Sequence, residues 1–147
     1  MFNYQIIVEY LGTNYVGWQV QKNGTSVQSV IQRALTKVLR SKIKINGSGR
    51  TDAGVHAKGQ SANFVIDKEI KDKYKFLNSV NFFLKKKSIS IIKINDKKIN
   101  LHARHSVKKK IYKYIILNRS ISSPLYNDRA WLIKKKLNVT LMKKGIK

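Results

Sequence analysis

From Val27 to Leu39 apolar side chains return at steps of three and four: Val27, Val30, Ile31, Ala34, Leu35, Val38 and Leu39. That period sets them on one face of an α-helix, and such a face has to be buried against another layer. Thr25, with Gln28 three places on, has the capping-box pattern and marks the start. The flanking segments have strand character. Tyr4 to Tyr10 is rich in β-branched and aromatic residues, Ile43 to Ile45 is a short strand ended by Asn46-Gly47-Ser48-Gly49, and Gln60 to Ile66 is a third strand. Asp67 is placed to cap a second helix with Ile70, Tyr74, Leu77, Val80 and Leu84 on its buried side. Ser88 to Ile94 then alternates like a strand. The order β-α-β-β-α-β is that of a ferredoxin-like α+β fold, which implies an antiparallel sheet with both helices on one face.

Further on, Lys110 to Leu117 reads as a strand with Tyr112 and Tyr114 on the same side. Pro124 marks a turn, Trp131-Leu132-Ile133 is a short apolar segment, and Leu137 to Lys147 reads as helix with Asn138 as its cap. Two parts are expected: an α/β domain over 1–118, and a connector with the start of a further domain over 119–147.

The 147 residues include 31 Lys and Arg against 7 Asp and Glu, a net charge of +24. Basic side chains that displace counterions from phosphates supply most non-specific affinity for nucleic acid, so a polyanionic partner is one reading. The other is compositional, since Lys, Ile and Asn are abundant together. The lysine runs at 85–87, 108–110 and 134–136 are spread along the chain, as in surface stripes on a folded body. There are no cysteines, which removes disulfides and thiolate metal sites and fits a reducing, cytoplasmic setting. No apolar run approaches the ~18 residues of a membrane span, and the N-terminus lacks the pattern of a secretory signal.

The chemically informative stretch is Gly49-Arg50-Thr51-Asp52-Ala53-Gly54-Val55-His56-Ala57. It carries a carboxylate in a loop between two strands, flanked by small residues that let a ligand approach. On spacing alone a glycine-bracketed Asp such as Asp52 is usually only a turn residue that bonds its own backbone. His56 and His102 have no carboxylate spacing that would make a metal site, and neither is assigned an acid–base role.

The stretch resembles the GRTDAGVHA signature of the TruA family of tRNA pseudouridine synthases. Three more segments resemble that family in its order. Tyr10 to Gln21 is similar to Y-D-G-x-x-Y-x-G-W-Q-x-Q, and Ser26-Val27-Gln28 matches its S-V-Q helix start. His102-Ala103-Arg104-His105-Ser106, with Lys110-Ile111-Tyr112-Lys113-Tyr114, is similar to H-A-R-x-S followed by K-x-Y-x-Y. The resemblance implies half of the pseudouridine synthase fold. It also implies isomerisation of uridine to pseudouridine at positions 38 to 40 of the tRNA anticodon stem-loop, with no cofactor and no metal, by a homodimer. Asp52 matches the family's nucleophile and Tyr112 its active-site tyrosine, which stacks on the extruded uracil. Arg50 is a candidate to fill the vacated stack or bind the adjacent phosphate, with a salt bridge to Asp52 as the plainer role. Arg104 is a candidate phosphate contact.

The sequence departs from the family at Leu11, where the family has Asp, and at Lys85, where it has Pro. The family's second half, with its G-x-H-D-F-x-S-F and F-L-x-x-M-V-R segments, has no counterpart here. Leu137 to Met142 resembles that half's first helix. A sheet meant to continue into such a half leaves an edge and an apolar face exposed. Two other classes of function are therefore weighed. One is a tRNA-binding remnant without chemistry. The other is a ribosomal-type structural protein, which accounts for the charge but not for the signature.

Overall fold

The computed structural model describes residues 1–146, which divide into two compact units, Met1–Lys109 and the segment from Lys110 on. The first unit contains β1 (Phe2–Tyr10), α1 (Val27–Leu39), β2 (Asn46–Gly47), β3 (Ala57–Ile66), α2 (Lys73–Leu84) and β4 (Ile89–Lys97). The strands form one antiparallel sheet in the order β2-β3-β1-β4, and α1 packs beside α2. This is the α+β, ferredoxin-like arrangement that the element order implied.

Alternation along β1 defines two faces. Tyr4, Ile6, Val8 and Tyr10 are buried, with Ala62 and Phe64 of β3 and Ile89, Ile91 and Ile94 of β4. They meet Val27, Val30, Ile31, Ala34 and Leu35 of α1 and Phe76, Val80 and Leu84 of α2 in one core. Several residues of α1 are β-branched, which costs a few tenths of a kcal/mol each in helix propensity. Burying each side chain returns about 1.5–3 kcal/mol, so packing decides that the segment is helical. The pairing of β4 with β1 slips between Ile7 and Val8. Because of that bulge Ile91 and Ile94, three apart, both face the core, while Ile92 between them is left 52% exposed.

The opposite face of the sheet is polar. Asn46, Asn63, Gln5 and Asn95 stand at one register across all four strands. Two buried amides here fasten the chain that follows β4. Asn3 donates to the carbonyls of Lys98 (2.9 Å), Ile99 (3.4 Å) and Leu101 (2.8 Å). Asn63 donates to Asn3 Oδ1 (2.9 Å) and to the Leu101 carbonyl (3.3 Å), and accepts from the Ala103 amide (2.9 Å).

Several local expectations shift. The cap of α1 is Ser26, whose hydroxyl accepts from the Ser29 amide, and not Thr25. Gln28 spans two loops instead, accepting from the Val20 amide and donating to the Ile45 carbonyl. The short strand is Asn46–Gly47 rather than Ile43 to Ile45. Helix α2 is capped by Asp72, not Asp67, so it begins later than the apolar pattern suggested. The later start puts Phe76, Val80 and Leu84 inward and turns Tyr74, expected to be buried, to solvent at 78% exposure.

In the second unit β5 (Ile116–Asn118) pairs in parallel with β6 (Trp131–Ile133), a 3-10 turn covers Pro124–Tyr126, and α3 (Val139–Gly145) follows. The expected strand from Lys110 to Leu117 forms only from Ile116, because only there does a partner strand supply a ladder. Tyr112 and Tyr114 lie outside it. Asn118 ties the unit together, donating to the Ile133 and Lys135 carbonyls and accepting from the Leu137 amide. Asn138 caps α3 through the Leu141 amide, as expected. The expected end of that helix, Lys147, lies outside the described residues.

Replacing Asn63 with Ala leaves the Ala103 amide and one Asn3 oxygen without their partner, which costs roughly 1–3 kcal/mol. Urea denaturation should show that loss, and amide exchange should speed up at Ala103 before it does in β1. Unchanged exchange at Ala103 would refute the role given to this amide.

Candidate active site

Asp52 sits in the loop between β2 and β3, and that loop is docked, backbone to backbone, on the loop between β1 and α1. The docking starts from α1. Its first amides have no partner within the helix. Val27 donates to the Gly17 carbonyl (3.1 Å) and Gln28 to the Trp18 carbonyl (3.0 Å), so the helix start holds the β1–α1 loop. That loop then holds the Asp52 loop. The Trp18 amide donates to the Thr51 carbonyl (3.0 Å), and the Gly54 amide to the Tyr15 carbonyl (3.3 Å). The Tyr10 and Thr51 hydroxyls share a hydrogen bond of 2.8 Å, and the Tyr10 ring lies 5.9 Å from that of Trp18. From the strand side, Gln60 donates to the Gly49 carbonyl (2.6 Å).

Two glycines make this approach possible. A Cβ on Gly12 would lie 2.0 Å from the Val55 carbonyl oxygen, and one on Gly17 would lie 2.4 Å from that of Thr51. Gly17 also has φ of +103°, which disfavours any side chain. The Gly12 amide donates to His56 Nδ1 at 2.9 Å, so a neutral His56 carries its proton on Nε2. His56 thus closes the loop from its far end.

Within this bracket the Asp52 side chain is exposed. Its carbonyl accepts from the Val55 amide at 3.2 Å, which tightens the turn. Arg50, two residues earlier, is also exposed, and among the described residues no ion pair joins it to Asp52; the ion pair formed is Lys73 with Asp96 (2.5 Å). The loop therefore presents a carboxylate and a guanidinium, both open to a ligand.

Arg104 follows Ala103, which Asn63 holds. Asn63 pairs with Gln5 near the middle of the sheet and with Asn46 of β2, so the Arg104 turn is anchored over the central part of the polar face. Its side chain is exposed, and the His102 and His105 rings lie 4.6 Å apart, tilted at 43°, in the same turn. Asp52, Arg50 and Arg104 thus share the first unit. Tyr112 belongs to the second, where it is 68% exposed. No group of three His, Asp or Glu side chains among the described residues is arranged to hold a metal ion.

Sequence reading missed the residues that aim the loop. Gly12, Gly17, Tyr10 and Trp18 were visible as parts of a motif, but their contacts with 51–56 are long-range. Asn3 and Asn63 had a faint local signal, as amides in otherwise apolar strands.

A loop-borne carboxylate thus stands beside a split β-α-β sheet on a strongly basic chain. Residues 6–106 match the family described as tRNA pseudouridine synthase, and the chain belongs to that family. Curated relatives named tRNA pseudouridine synthase A match almost the whole chain. That of Pelagibacter ubique (strain HTCC1062) is 52% identical over 147 residues, all of this chain and 60% of the relative. That of Thermoanaerobacter sp. (strain X514) is 44% identical over 145 residues, 99% of this chain and 59% of the relative. That of Ehrlichia ruminantium (strain Gardel) is 37% identical over 144 residues, 97% and 58% respectively. The chain therefore spans about 60% of the length of these relatives.

Two outcomes follow from the docking. Gly12→Ala should displace the Asp52 loop while leaving the core intact, since the added carbon meets backbone and not a movable side chain. Limited proteolysis should then cut within 48–56, at unchanged helical circular dichroism. Burial raises the Tyr10 phenol above its ordinary value, with the Thr51 hydrogen bond opposing, and burial raises Tyr15 against the pull of Arg33. An unfolded tyrosine ionises near pH ~10, so this contribution is complete below that pH and is lost as pH rises through the folded value. Stability should fall above pH ~10, and Tyr10→Phe should flatten that fall in denaturation curves taken on either side of it.

Proposed function

We propose that the chain carries the catalytic loop of a tRNA pseudouridine synthase that isomerises uridine to pseudouridine at positions 38 to 40 of the anticodon stem-loop. The observation that carries this reading is Asp52: an exposed carboxylate on a loop whose backbone is fixed from both sides, within the stretch that matches the family.

A uridine in a stem has to leave the stack before a side chain can reach its sugar. Asp52 then acts on the ribose, either by attack at C1′ or by taking a sugar proton to give a glycal, and the C1′–N1 bond breaks. The freed uracil turns, C5 bonds to C1′, the C5 proton leaves, and N1 gains a proton. The reaction is balanced without an oxidant or a nucleotide cofactor. Tyr112 serves as the ring on which the extruded base stacks, and its hydroxyl assists removal of the C5 proton. Arg50 fills the vacated space or binds the neighbouring phosphate, and Arg104 is a further phosphate contact. A homodimer acting on tRNA in the cytoplasm completes the reading. None of the described helices is long and apolar enough to cross a membrane.

A second reading, RNA binding without chemistry, has one observation in its favour. No described residue from 110 on is buried, and Tyr114, Leu125 and Trp131 are at least 70% exposed, so the part that carries Tyr112 lacks a core of its own.

One assay separates the two. With tRNA tritiated at uracil C5, the chain should release tritium, Asp52→Ala should lower the rate on the order of a thousand-fold or more, and tRNA affinity should survive. Arg50→Ala should lower turnover without lowering the midpoint of denaturation. Binding with no release from either the wild type or Asp52→Ala supports the second reading.

A further inference from the structure

Helix α2 turns an aromatic stripe outward. Tyr74 and Phe82 are eight residues apart, about 12 Å along the axis at ~1.5 Å per residue, and both lie on the solvent side with Asn78 between them. They are 78% and 74% exposed, on a helix whose other face is fully committed to the core. The Phe82 ring has one aromatic neighbour. It meets Phe83 edge to face at 5.5 Å and 83°, and Phe83 in turn lies under Lys37 Nζ of α1, 5.4 Å from the ring centre.

The surroundings are cationic. Lys75 is exposed on the same helix, Lys85, Lys86 and Lys87 follow its last turn, and Lys37 reaches in from α1. Helix α2 contains no acidic residue; the nearby carboxylates gather at its first turn, where Asp72 caps it and Asp96 pairs with Lys73, so the unpaired lysines dominate towards the Phe82 end. Exposed rings edged by lysines suit bases that stack while their phosphates meet ammonium groups. They suit a second copy poorly, because each copy would bring the same lysines on a chain of net charge +24.

We propose that this face of α2 is an RNA-contact surface separate from the Asp52 loop, on which Phe82 and Tyr74 stack against unpaired bases of a structured RNA. The choice of RNA rests on the tRNA reading above, but the surface does not depend on catalysis.

The test is binding of unmodified tRNA transcript to the full chain in the Asp52→Ala background, so isomerisation plays no part in the result. Phe82→Ala should weaken affinity about tenfold, the usual scale for a lost stack. Phe82→Trp should restore it, and Phe82→Leu, which keeps apolar area but has no π face, should not. Lys75→Ala and Lys86→Ala should each reduce the salt slope by roughly 0.7–0.9. Unchanged affinity in Phe82→Ala overturns the proposal. So does a Phe82→Leu variant that binds like wild type, or a Phe82→Ala variant whose sedimentation shows a lower oligomeric state, since the face would then join copies of the chain. Failure of tritium release with these effects intact counts against the catalytic reading and leaves this one standing.

Discussion

The candidate site depends on main chain packed against main chain. The loop of Asp52 owes its shape to the β1–α1 loop, on which Gly12 and Gly17 bring two backbones closer than any side chain would allow. Hydrogen bonds at Trp18, Gly54 and Gly12 then fix the register of one loop on the other. Backbone contacts of this kind have few soft degrees of freedom, so the main chain that carries the Asp52 carboxylate is held in position. The anchorage passes back through the first amides of α1 into the core, so a helix packed in the core positions the loop of Asp52.

The polar face of the sheet has a similar division of labour. One face buries a continuous apolar core, while the other carries amides whose hydrogen bonds are spent on the segment after β4. Asn3 and Asn63 would be costly if unpaired, and pairing them to backbone makes the placement of 98–103 specific. This puts Arg104 on the same body as Asp52, anchored over the polar face of the sheet. The second unit contrasts with this, since its apolar side chains remain open and its few strand and cap hydrogen bonds turn on Asn118 and Asn138.

How much of this was legible beforehand varies with the range of the interaction. The face of α1 and the β-α-β-β-α-β order were read correctly because a 3.6-residue or two-residue period is a local property. The cap of α1 was misread by one residue, because Thr25 and Ser26 are chemically equivalent and only the loop in front selects between them. Tyr74 was read as buried because Ile70 continues its apolar spacing, yet 67–72 is not helical and the phase restarts at Asp72. Lys110 to Leu117 has strand composition throughout, but strand structure needs a partner, and only its last residues have one.

The amino-acid order by itself determined the sheet-and-helix alternation, the basic balance of charge, and which residues match a known family, Asp52 foremost. These are properties of neighbours in the chain or of composition. Tertiary structure alone decided that Gly12 and Gly17 are spacers between two loops, that Asn63 is a fastener, and that Phe82 is an outward ring. Each of those depends on groups that are distant in sequence or on which side of a helix is covered. The physical reason is that burial and backbone pairing are settled between elements, and no local pattern encodes what will stand opposite.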